Sequence, residues 1–289
     1  MDLAVVIPTY NRFTITKQCI NTLKKNEKRN ILIIICDSSS TDNTPLIKQL
    51  FDNLEFIDVG PNTWWSGAVN AGIKKAEYFG YRNVLVLNDD LYFDFNLIDN
   101  IIEASKRHPD AIISASQETN SKLFIGSIYS GIFKKTQHLY NNLNSARNLS
   151  QIVESTNGSC LYIPCKVFKN IGYFDEVRCP HLYGDTEFQL RALNAGIKII
   201  CDLNVRVVQQ PTTDYIRRLS LSSILTAPDS PFKISAYWAF CNMLFKSKSK
   251  AVFFGVWHHY FFIIQLTKAV FNKCWNFKIF SKSLNNYEN

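Results

Sequence analysis

The sequence contains no uninterrupted apolar run long enough to span a bilayer. Its most apolar stretch, residues 251–266, is interrupted by His258, His259 and Gln265 and falls short of the ~20 residues that a transmembrane helix needs. We therefore predict no transmembrane helix. The first residues carry Asp2 and a short apolar run, whereas an export signal has a basic region followed by a longer apolar one. A cytoplasmic protein is expected.

Cysteine pairs of the kind that hold a metal are also missing. None of the 8 cysteines lies in a CxxC pair or at metal-ligand spacing, and several fall inside apolar runs. Buried, reduced thiols in a cytosolic protein are the plain interpretation. No GxGxxG follows the first apolar run, which argues against a dehydrogenase. Residues 8–12, Pro-Thr-Tyr-Asn-Arg, are also not the glycine-rich, basic loop expected of a nucleotidyltransferase.

Acidic residues are scarce in the last quarter of the chain. Residues 216–289 hold 10 Lys or Arg against only Asp229 and Glu288, whereas residues 1–215 hold 22 charges of each sign. The tail also has 16 aromatic residues, and this combination favours an anionic lipid surface. The balanced first 215 residues offer no groove for nucleic acid, which is not expected as a partner.

We therefore expect peripheral association with the inner face of a membrane, with core packing or an oligomer interface as the alternatives. The residues concerned are Lys246, Lys248, Lys250, Phe253, Phe254, Trp257, Tyr260, Phe261 and Phe262.

What the sequence does contain is an alternation of short β-branched runs with amphipathic segments, which is typical of βαβ units and a parallel sheet. The run Ile31–Cys36 is almost wholly apolar, as expected of a strand covered on both faces. Strands are predicted at 3–8, 31–36, 54–59, 84–87, 111–116, 124–133 and 158–163, and helices at 13–25, 44–51, 70–79, 97–106 and 187–195. The predicted units are an α/β domain at 1–215, with halves at 1–94 and 95–215, and a basic, aromatic helical extension at 216–289.

Polar residues follow three predicted strands at the edge where open α/β sheets bind their ligands. Residues 8–12 end the first strand, Asp37 ends the second, and Asn-Asp-Asp at 88–90 follows the fourth. A carboxylate at position 37 can accept a hydrogen bond from the N–H of a pyrimidine base. Asp42 stands near a predicted helix start, and we assign it a structural capping role.

Five motifs in this order resemble the family 2 glycosyltransferases, which have the GT-A fold. They are PTYNR at 8–12, the Asp-Ser-Ser-Ser-Thr-Asp-Asn-Thr run at 37–44, the G-x-x-N-x-G loop formed by Gly67, Asn70 and Gly72, the N-D-D variant of D-x-D at 88–90, and the segment 183–191 preceded by 172–176. The resemblance covers residues 1 to about 200. Each motif alone is weak, but their order makes the set specific.

The resemblance implies an inverting transfer of a sugar from a nucleotide-diphosphate donor to a hydroxyl of a glycan or lipid-linked acceptor, with Asp185 as the catalytic base. It also implies a divalent cation, Mn²⁺ or Mg²⁺, held by Asp90 and Asn88, because the departing diphosphate gains negative charge. Residues 1–94 then bind the nucleotide sugar and residues 95–215 the acceptor. Donor contacts are expected from Pro8, Thr9, Tyr10, Asp37, Gly67, Asn70, Asn88 and Asp89. Acceptor contacts are expected from Trp65, His181, Tyr183 and Glu187, and a structural ion pair from Arg191. A core anchor is the equal alternative for Trp64 and Trp65, and orientation of the site is the alternative for Glu187.

Two departures from the family pattern bear on the phosphate site. Gln209 and Gln210 stand where many relatives carry a His tied to the metal or diphosphate, which leaves metal coordination from that side in question. A glutamine amide can still donate to a phosphate. Val69 replaces a residue that is often basic.

The pattern resembles rhamnosyltransferase-like members that build bacterial O-antigen or capsule chains, which favours a UDP- or dTDP-sugar and leaves GDP-sugars open. The competing hypothesis is a catalytically inactive sugar-nucleotide-binding or membrane scaffold protein of the same fold. Retention of Asp90 and Asp185 argues against it. The oligomeric state is left open.

Overall fold

The computed structural model describes residues 3–25, 31–119, 122–131, 134–142, 150–210, 223, 225–230, 233–245 and 247–271. Its strands are β1 (Leu3–Thr9), β2 (Leu32–Asp37), β3 (Leu54–Asp58), β4 (Asn83–Leu87), β5 (Leu91–Tyr92), β6 (Ile112–Thr119), β7 (Lys122–Ser130), β8 (Lys135–Asn142), β9 (Ser150–Val153), β10 (Cys160–Pro164) and β11 (Ile199–Gln209). Its helices are α1 (Phe13–Lys24), α2 (Ile47–Leu50), α3 (Trp65–Tyr78), α4 (Leu97–Arg107), α5 (Cys165–Ile171), α6 (Gly184–Asn194), α7 (Ile234–Leu244) and α8 (Lys248–Phe271).

The described strands form one mixed sheet in the order β3-β2-β1-β4-β10-β6-β11-β5. β1, β2, β3 and β4 run parallel, whereas β10 is antiparallel to both β4 and β6. A hairpin of β7 and β8 extends from β6, and β9 pairs with β11. The predicted fold class, a parallel nucleotide-binding half joined to a mixed second half, is confirmed.

The core lies on both faces of this sheet because alternate side chains of a strand point to opposite sides. In β1, Leu3, Val5 and Ile7 are fully buried on the face that α1 and α4 cover. Ala4 and Val6 are equally buried on the face that α3 and α6 cover. Both sides are apolar, which explains why β1 and β2 read as continuous apolar runs.

Gly72 sets how closely α3 packs on the sheet. A Cβ at this position would lie 2.4 Å from a methyl carbon of Val6 and 2.7 Å from the sulfur of Cys36. These separations are far inside van der Waals contact, so any side chain would push the helix away from β1 and β2. The second glycine of the family loop is therefore a packing requirement.

Several elements differ from their sequence prediction. α3 begins at Trp65 and α6 at Gly184, earlier than predicted, because glycines at their starts obscure the helical pattern. The predicted helix at 44–51 is a 3₁₀ turn at Thr44–Leu46 followed by the single turn α2. β8 and β9 were not predicted, since both are rich in polar residues. The predicted strand 124–133 ends at Ser130, and residue 133 lies outside the described residues.

The first helix of the predicted C-terminal extension packs on the α/β domain. α7 contacts α6 and α8, and it buries Ala236 and Ala239 against Cys179. Within the extension predicted at 216–289, α7 therefore packs on the acceptor half through a small buried cluster. Lys246 and residues 272–289 lie outside the described residues. Among the residues described, no helix has the length and apolarity needed to cross a membrane.

Seven cysteines are buried and free: Cys19, Cys36, Cys160, Cys165, Cys179, Cys201 and Cys241. Burial raises the pKa of each thiol, to about 12 for Cys36 and to about 11 for Cys165. Such thiols stay protonated near neutral pH and are poor nucleophiles. The prediction of buried, reduced cysteines is confirmed for these seven.

Candidate active site

The carboxyl ends of β1 and β2 meet at one edge of the sheet and are tied together there. The N–H of Ser38 donates to the carbonyl of Thr9 at 3.1 Å. Asn11 and Ser39 adopt left-handed backbone with φ of 53° and 57°, which is uncommon outside glycine. The side chain of Asn11 accepts the N–H of Thr41 at 2.7 Å. The two strand ends thus form one ordered surface.

Tyr10 and Asp37 lie on this surface with different exposure. Tyr10 is 57% exposed, so its ring is open to a flat ligand such as a base. The Asp37 carboxylate accepts the N–H of Ser40 at 3.0 Å and also its hydroxyl. Burial raises the pKa of Asp37, and the bonds from Ser40 oppose that rise. Pro8 is partly exposed between β1 and this surface. Asp42 accepts the N–H of Thr44 at 2.9 Å, in keeping with its predicted structural role.

Asp89 points inward, beneath the site. One carboxylate oxygen accepts from Thr9 Oγ1 at 3.0 Å and from Thr16 Oγ1 at 2.7 Å, and the other pairs with Arg12 at 2.9 Å. Asp89 is 2% exposed. Burial raises its pKa, and the Arg12 guanidinium opposes the rise. The expected donor contact of Asp89 does not fit this arrangement, because both oxygens are engaged inside the protein; the same holds for the Thr9 hydroxyl.

Asp90 has one carboxylate oxygen paired and one left over. Its Oδ2 contacts Arg12 Nη1 at 3.0 Å, while its buried Oδ1 has no hydrogen-bond partner among the described residues. A buried carboxylate oxygen without a partner is costly, and a divalent cation is the ligand that would satisfy it. The described residues contain no cluster of three or more His, Cys, Asp or Glu that could hold a metal by itself. Asp90 therefore fits an ion that takes its other ligands from phosphates and water, as Mg²⁺ often does.

Asn88, the second predicted metal ligand, is held by Trp65. The indole Nε1–H of Trp65 donates to Asn88 Oδ1 at 2.9 Å, and the Trp65 ring packs edge-on against Phe174 at 5.2 Å. Trp65 is therefore an anchor between α3 and the loop after β4, and this contradicts its expected acceptor contact. Because the Asn88 oxygen already accepts this bond, its role toward a metal is weakened.

Asp185 is the other carboxylate of the site, at the start of α6. Its Oδ2 accepts the N–H of Gly158 at 2.7 Å, and its Oδ1 accepts the N–H of Thr186 at 2.7 Å. Burial raises the pKa of Asp185, and these two N–H groups oppose the rise. A Cβ on Gly158 would lie 2.3 Å from the Cβ of Asp185. Only glycine allows the backbone of this loop to approach the carboxylate so closely.

The loop at residues 157–159 connects the two carboxylates. The N–H of Asn88 donates to the carbonyl of Ser159 at 2.8 Å, and the neighbouring Gly158 holds Asp185. The residue that follows Asn88 by two positions is Asp90. The loop at 157–159 therefore links the loop that carries Asp90 to the first turn of α6, which carries Asp185, although the two acids are separated by 95 positions in the sequence.

Residues 4–172, more than half of the chain, match the family model described as glycosyl transferase family 2. The chain belongs to this family.

Curated relatives support the assignment. The chain is 28% identical over 179 residues to an uncharacterised glycosyltransferase of Rickettsia typhi, a match that covers 60% of this chain and 54% of that protein. It is 26% identical over 203 residues to the low-salt glycan biosynthesis hexosyltransferase Agl10 of Haloferax volcanii, with 68% of this chain and 64% of that protein covered. The matches thus span between half and two thirds of the relatives' own length.

Solved structures show the same fold. The S. aureus TarS structure has a TM-score of 0.55 at 18% identity and covers 84% of this chain and 43% of its own. The structure of GalNAc-T7 with UDP, GalNAc and Mn²⁺ has a TM-score of 0.59 at 11% identity and covers 74% of this chain and 44% of its own. The GT-A fold expected from the motifs is confirmed.

Two further family motif residues turn out to be structural in this glycosyltransferase family member. Asn70 is 2% exposed, and its side chain bonds the N–H and carbonyl of Phe174 and the carboxylate of Glu176. The expected donor contact of Asn70 is therefore wrong, because its side chain ties α3 to residues 174–176. A Cβ on Gly67 would lie 3.0 Å from Thr63 and 3.7 Å from Glu176, so Gly67 serves the same junction.

Glu187 is likewise a structural residue. It is fully buried and pairs with Arg191 at 3.0 Å, one helical turn away. Arg191 also donates to the carbonyl of Tyr173 at 2.8 Å. The predicted ion-pair role of Arg191 is confirmed. The expected acceptor contact of Glu187 is wrong, because its side chain is fully buried and cannot contact a ligand.

His181 and Tyr183 lie on the loop before α6. The His181 ring packs on Trp64 at 5.5 Å, and burial lowers the His181 pKa, which keeps the imidazole neutral at pH 7. The Tyr183 ring packs on Phe240 of α7 at 5.6 Å. Tyr183 therefore faces the C-terminal helix, and its expected acceptor contact is wrong.

A chain of amides reaches the edge of the site where relatives carry a histidine. Asn157 Nδ2 donates to Gln117 Oε1 at 3.1 Å, and Gln117 Nε2 donates to Gln209 Oε1 at 3.3 Å. The N–H of Gln210 donates to the carbonyl of Asp90 at 3.0 Å. The Gln209 oxygen is thus engaged by Gln117, which weakens a role of that oxygen as a metal ligand.

Sequence reasoning missed two residues of this site. Arg12 lies inside the PTYNR motif, yet the motif alone does not show that its guanidinium contacts both Asp89 and Asp90. Gly158 precedes β10 and contacts a carboxylate 27 positions away. The Asn-Gly dipeptide there is a turn signal, but it does not indicate which side chain the turn approaches.

Proposed function

We propose that the protein transfers a sugar, with inversion, from a nucleoside diphosphate donor to a hydroxyl of a glycan or lipid-linked acceptor. Family membership supports glycosyl transfer as the reaction class. The observation that carries the proposal is the pair of carboxylates linked through the loop at 157–159: Asp90 has a buried oxygen without a partner among the described residues, and Asp185 has a pKa raised by burial and is held by N–H donors. A cation site and a base are the two groups that this reaction needs.

Asp90 and Arg12 supply the donor phosphate end of the proposed site. A bound Mn²⁺ or Mg²⁺ would offset the negative charge that builds on the departing diphosphate. Asp90 would hold the ion through Oδ1, while Arg12 neutralises the adjacent Asp89 and keeps the two acids from repelling each other. The Gln209 amide would donate to the diphosphate from the other side.

Asp185 supplies the proton acceptor. As the acceptor hydroxyl attacks the anomeric carbon, its proton passes to the Asp185 carboxylate and the bond between that carbon and the diphosphate oxygen breaks on the opposite face. The raised pKa of Asp185 suits this task, because a base whose pKa lies closer to the working pH takes a proton more readily. Fixed N–H donors hold the carboxylate still.

The donor is a UDP- or dTDP-sugar. Tyr10 would stack on the base through its exposed ring. Asp37, which is 1% exposed, would accept the N–H of a pyrimidine in addition to the bonds from Ser40 that already engage both of its oxygens. The TarS structure in complex with UDP-GlcNAc, which has a TM-score of 0.54 and 16% identity, is a fold neighbour that supports a UDP-sugar. We infer a role in cell-surface polysaccharide synthesis, in O-antigen or capsule chains, from the rhamnosyltransferase-like motif pattern.

The experiment is a thermal-shift screen of the protein against UDP-, dTDP- and GDP-sugars, each with Mn²⁺, Mg²⁺ or EDTA. A ligand that binds only the folded state raises the melting temperature by mass action. The proposal predicts a shift with one pyrimidine nucleotide sugar in the presence of metal, followed by turnover on an acceptor and a product whose anomeric configuration, read by NMR, is inverted. A shift without turnover on any acceptor favours the inactive sugar-nucleotide-binding protein.

We also propose that α8 docks on an anionic membrane surface. One stripe of this helix is 49–57% exposed and apolar, and residues 216–289 carry 10 basic residues against two acids. An interfacial helix combines these two properties. The stripe consists of Val252, Phe253, Val256, Trp257 and Tyr260. Phe254 packs on Phe245 instead, and the side chains of residues 261 and 262 lie outside the described residues.

Cosedimentation with vesicles tests the docking proposal. The full chain is expected to pellet with vesicles that contain phosphatidylglycerol at low salt, and Trp257→Glu is expected to weaken this strongly. Tyr78→Glu is the matched control, since Tyr78 is an exposed aromatic residue on α3, away from the stripe. Binding to neutral vesicles alone, or none at low salt, contradicts the proposal.

A further inference from the structure

Tyr183 has an unfavourable backbone conformation two residues before the candidate base. Its φ is 64° and its ψ is −3°, a left-handed conformation that is rare for a bulky side chain. The next residue, Gly184, begins α6, and Asp185 follows in the first turn of that helix. The direction in which α6 begins, and with it the position of the Asp185 carboxylate, therefore depends on what holds Tyr183 in this conformation.

The Tyr183 ring packs against α7. Its centroid lies 5.6 Å from that of Phe240 and 6.0 Å from that of Tyr237. Tyr183 also packs on the buried cluster of Cys179, Ala236 and Ala239, of which the two alanines lie on α7. These contacts with one helix support Tyr183 in its strained conformation.

The backbone of the loop before Tyr183 is tied down from two sides. On the α7 side, the Ser235 hydroxyl donates to the carbonyl of Arg178 at 2.9 Å. On the α3 side, the Ser66 hydroxyl donates to the carbonyl of Cys179 at 2.6 Å. A Cβ on Gly184 would lie 2.4 Å from the Ser66 Oγ, so the start of α6 is pressed against α3 with no room to shift. The loop is clamped between α3 and α7.

The position of Asp185 tolerates little displacement. Gly158 approaches its Cβ so closely that a single added carbon would clash, and Gly158 and Thr186 each donate to it at 2.7 Å. If α6 moves, the bond from Gly158 breaks, since it joins α6 to another segment, and the carboxylate leaves its line to the acceptor. A misplacement of about 1 Å can cost 10²-fold in rate.

We propose that α7 acts as a positioning element for catalysis, with Tyr183 and Phe240 as the positioning residues that set Asp185. The inference rests on the proposed role of Asp185 as base. It assigns a function to the start of the C-terminal segment: α7 completes the acceptor half of the site, and α8 follows it as the membrane-facing helix. The two residues act through Asp185 and do not contact substrate.

The test compares four variants of the full chain. Tyr183→Gly removes the ring but accepts a positive φ without strain, so it separates the clamp from backbone strain. Phe240→Ala removes the α7 side of the contact, and Tyr183→Phe keeps the ring and should restore function. Phe245→Ala is the matched control: it removes a buried ring that directly follows α7 and stacks on Phe254 of α8.

Amide hydrogen exchange of the peptide around residue 158 reads the position of Asp185 without any substrate. Exchange at this site should be about tenfold faster in Tyr183→Gly and Phe240→Ala, because the N–H of Gly158 loses its acceptor, and unchanged in Tyr183→Phe and Phe245→Ala. With the donor found in the thermal-shift screen, kcat should fall about tenfold in the first two variants while the donor KM stays within about twofold.

Two results would overturn the inference. Native exchange and kcat in Tyr183→Gly would show that the ring positions nothing. Equal effects of Phe240→Ala and Phe245→Ala would mean that loss of any ring on α7 loosens the domain. Absence of turnover in every protein, the unmodified chain included, would count against the proposed function, while the exchange experiment still decides the clamp.

Discussion

Asp90 and Asp185 are the same residue type at two ends of one candidate site, and their surroundings differ in a specific way. Asp90 shares Arg12 with Asp89 and keeps a buried oxygen without a partner among the described residues. Asp185 has N–H donors on both oxygens, and burial raises its pKa. The unpaired oxygen of Asp90 favours binding of a cation, whereas the raised pKa of Asp185 favours binding of a proton. The two acids therefore have different proposed roles, and a substitution at each should affect one role and not the other.

Asp185→Asn should have the largest effect, because an amide cannot accept the proton of the attacking hydroxyl. Loss of a general base usually costs 10²- to 10⁴-fold, and that is the expected fall in kcat. The affinity for the nucleotide sugar should stay unchanged, since the donor binds at the Asp90 end. Near-normal turnover, or a product that retains the donor configuration, would show that Asp185 is not the base of an inverting reaction.

Gly158→Ala should come next, with a loss of kcat of about 10²-fold. The new Cβ would lie 2.3 Å from the Cβ of Asp185 and displace the carboxylate. Gly255→Ala on α8 is the control, since the nearest atoms to its Cβ would be those of the Trp238 ring, at 3.0 Å, away from Asp185 in the sequence and on another helix. Steady-state kinetics with the thermal midpoint of each variant checks the prediction. A catalytically normal Gly158→Ala protein would mean that the carboxylate does not need this position.

Arg12→Gln should affect the opposite end of the site. Removal of the guanidinium 3.0 Å from Asp90 takes away a competing positive charge, so Mn²⁺ should bind the nucleotide-free protein about tenfold more tightly. Arg12→Lys keeps a positive charge and serves as the comparison. Titration of free Mn²⁺ followed by electron paramagnetic resonance measures the change. Weaker Mn²⁺ binding in Arg12→Gln would imply that Arg12 holds Asp90 in place for the metal.

A change of pH near neutrality should alter kcat less than these substitutions do. Asp185 must be ionised to act as base, and its pKa is raised above the ordinary value of 3.8 by burial. Activity should therefore be constant above this raised pKa and fall tenfold per pH unit below it. The residual activity of Asp185→Asn should lack this acidic limb. A limb that persists in the variant would belong to another group.

Much of the fold was predictable because its signal is local. The runs that form β1, β2 and β4 are apolar on both faces, and polar residues follow each of them, so the sheet and its ligand edge could be predicted from sequence. The polar hairpin strand β8 could not, because nothing in its residues distinguishes it from a loop. The long helix α3 was shortened in the prediction by its glycines, and only the packing of Gly72 explains why they are there.

The candidate site was predictable as a set of motifs and less so in its individual roles. Asp90 and Asp185 stand where the motifs indicated, but Asn70, Glu187 and Tyr183 are committed to structural contacts. Asn70 bonds a backbone 104 positions away, and Tyr183 packs on a helix that begins 51 positions later. Such partners are set by tertiary packing. A motif can therefore identify a residue of the site without showing whether its side chain contacts a ligand or another part of the protein.

Calorimetric titration of UDP and dTDP into the unmodified chain, Asp90→Asn and Asp185→Asn, each with Mn²⁺ and with EDTA, tests the separation of roles most directly. The account predicts that Mn²⁺ strengthens nucleotide binding to the unmodified chain and to Asp185→Asn, and that this coupling is lost in Asp90→Asn. Equal nucleotide affinity of the unmodified chain in Mn²⁺ and EDTA, or full coupling in Asp90→Asn, would contradict it.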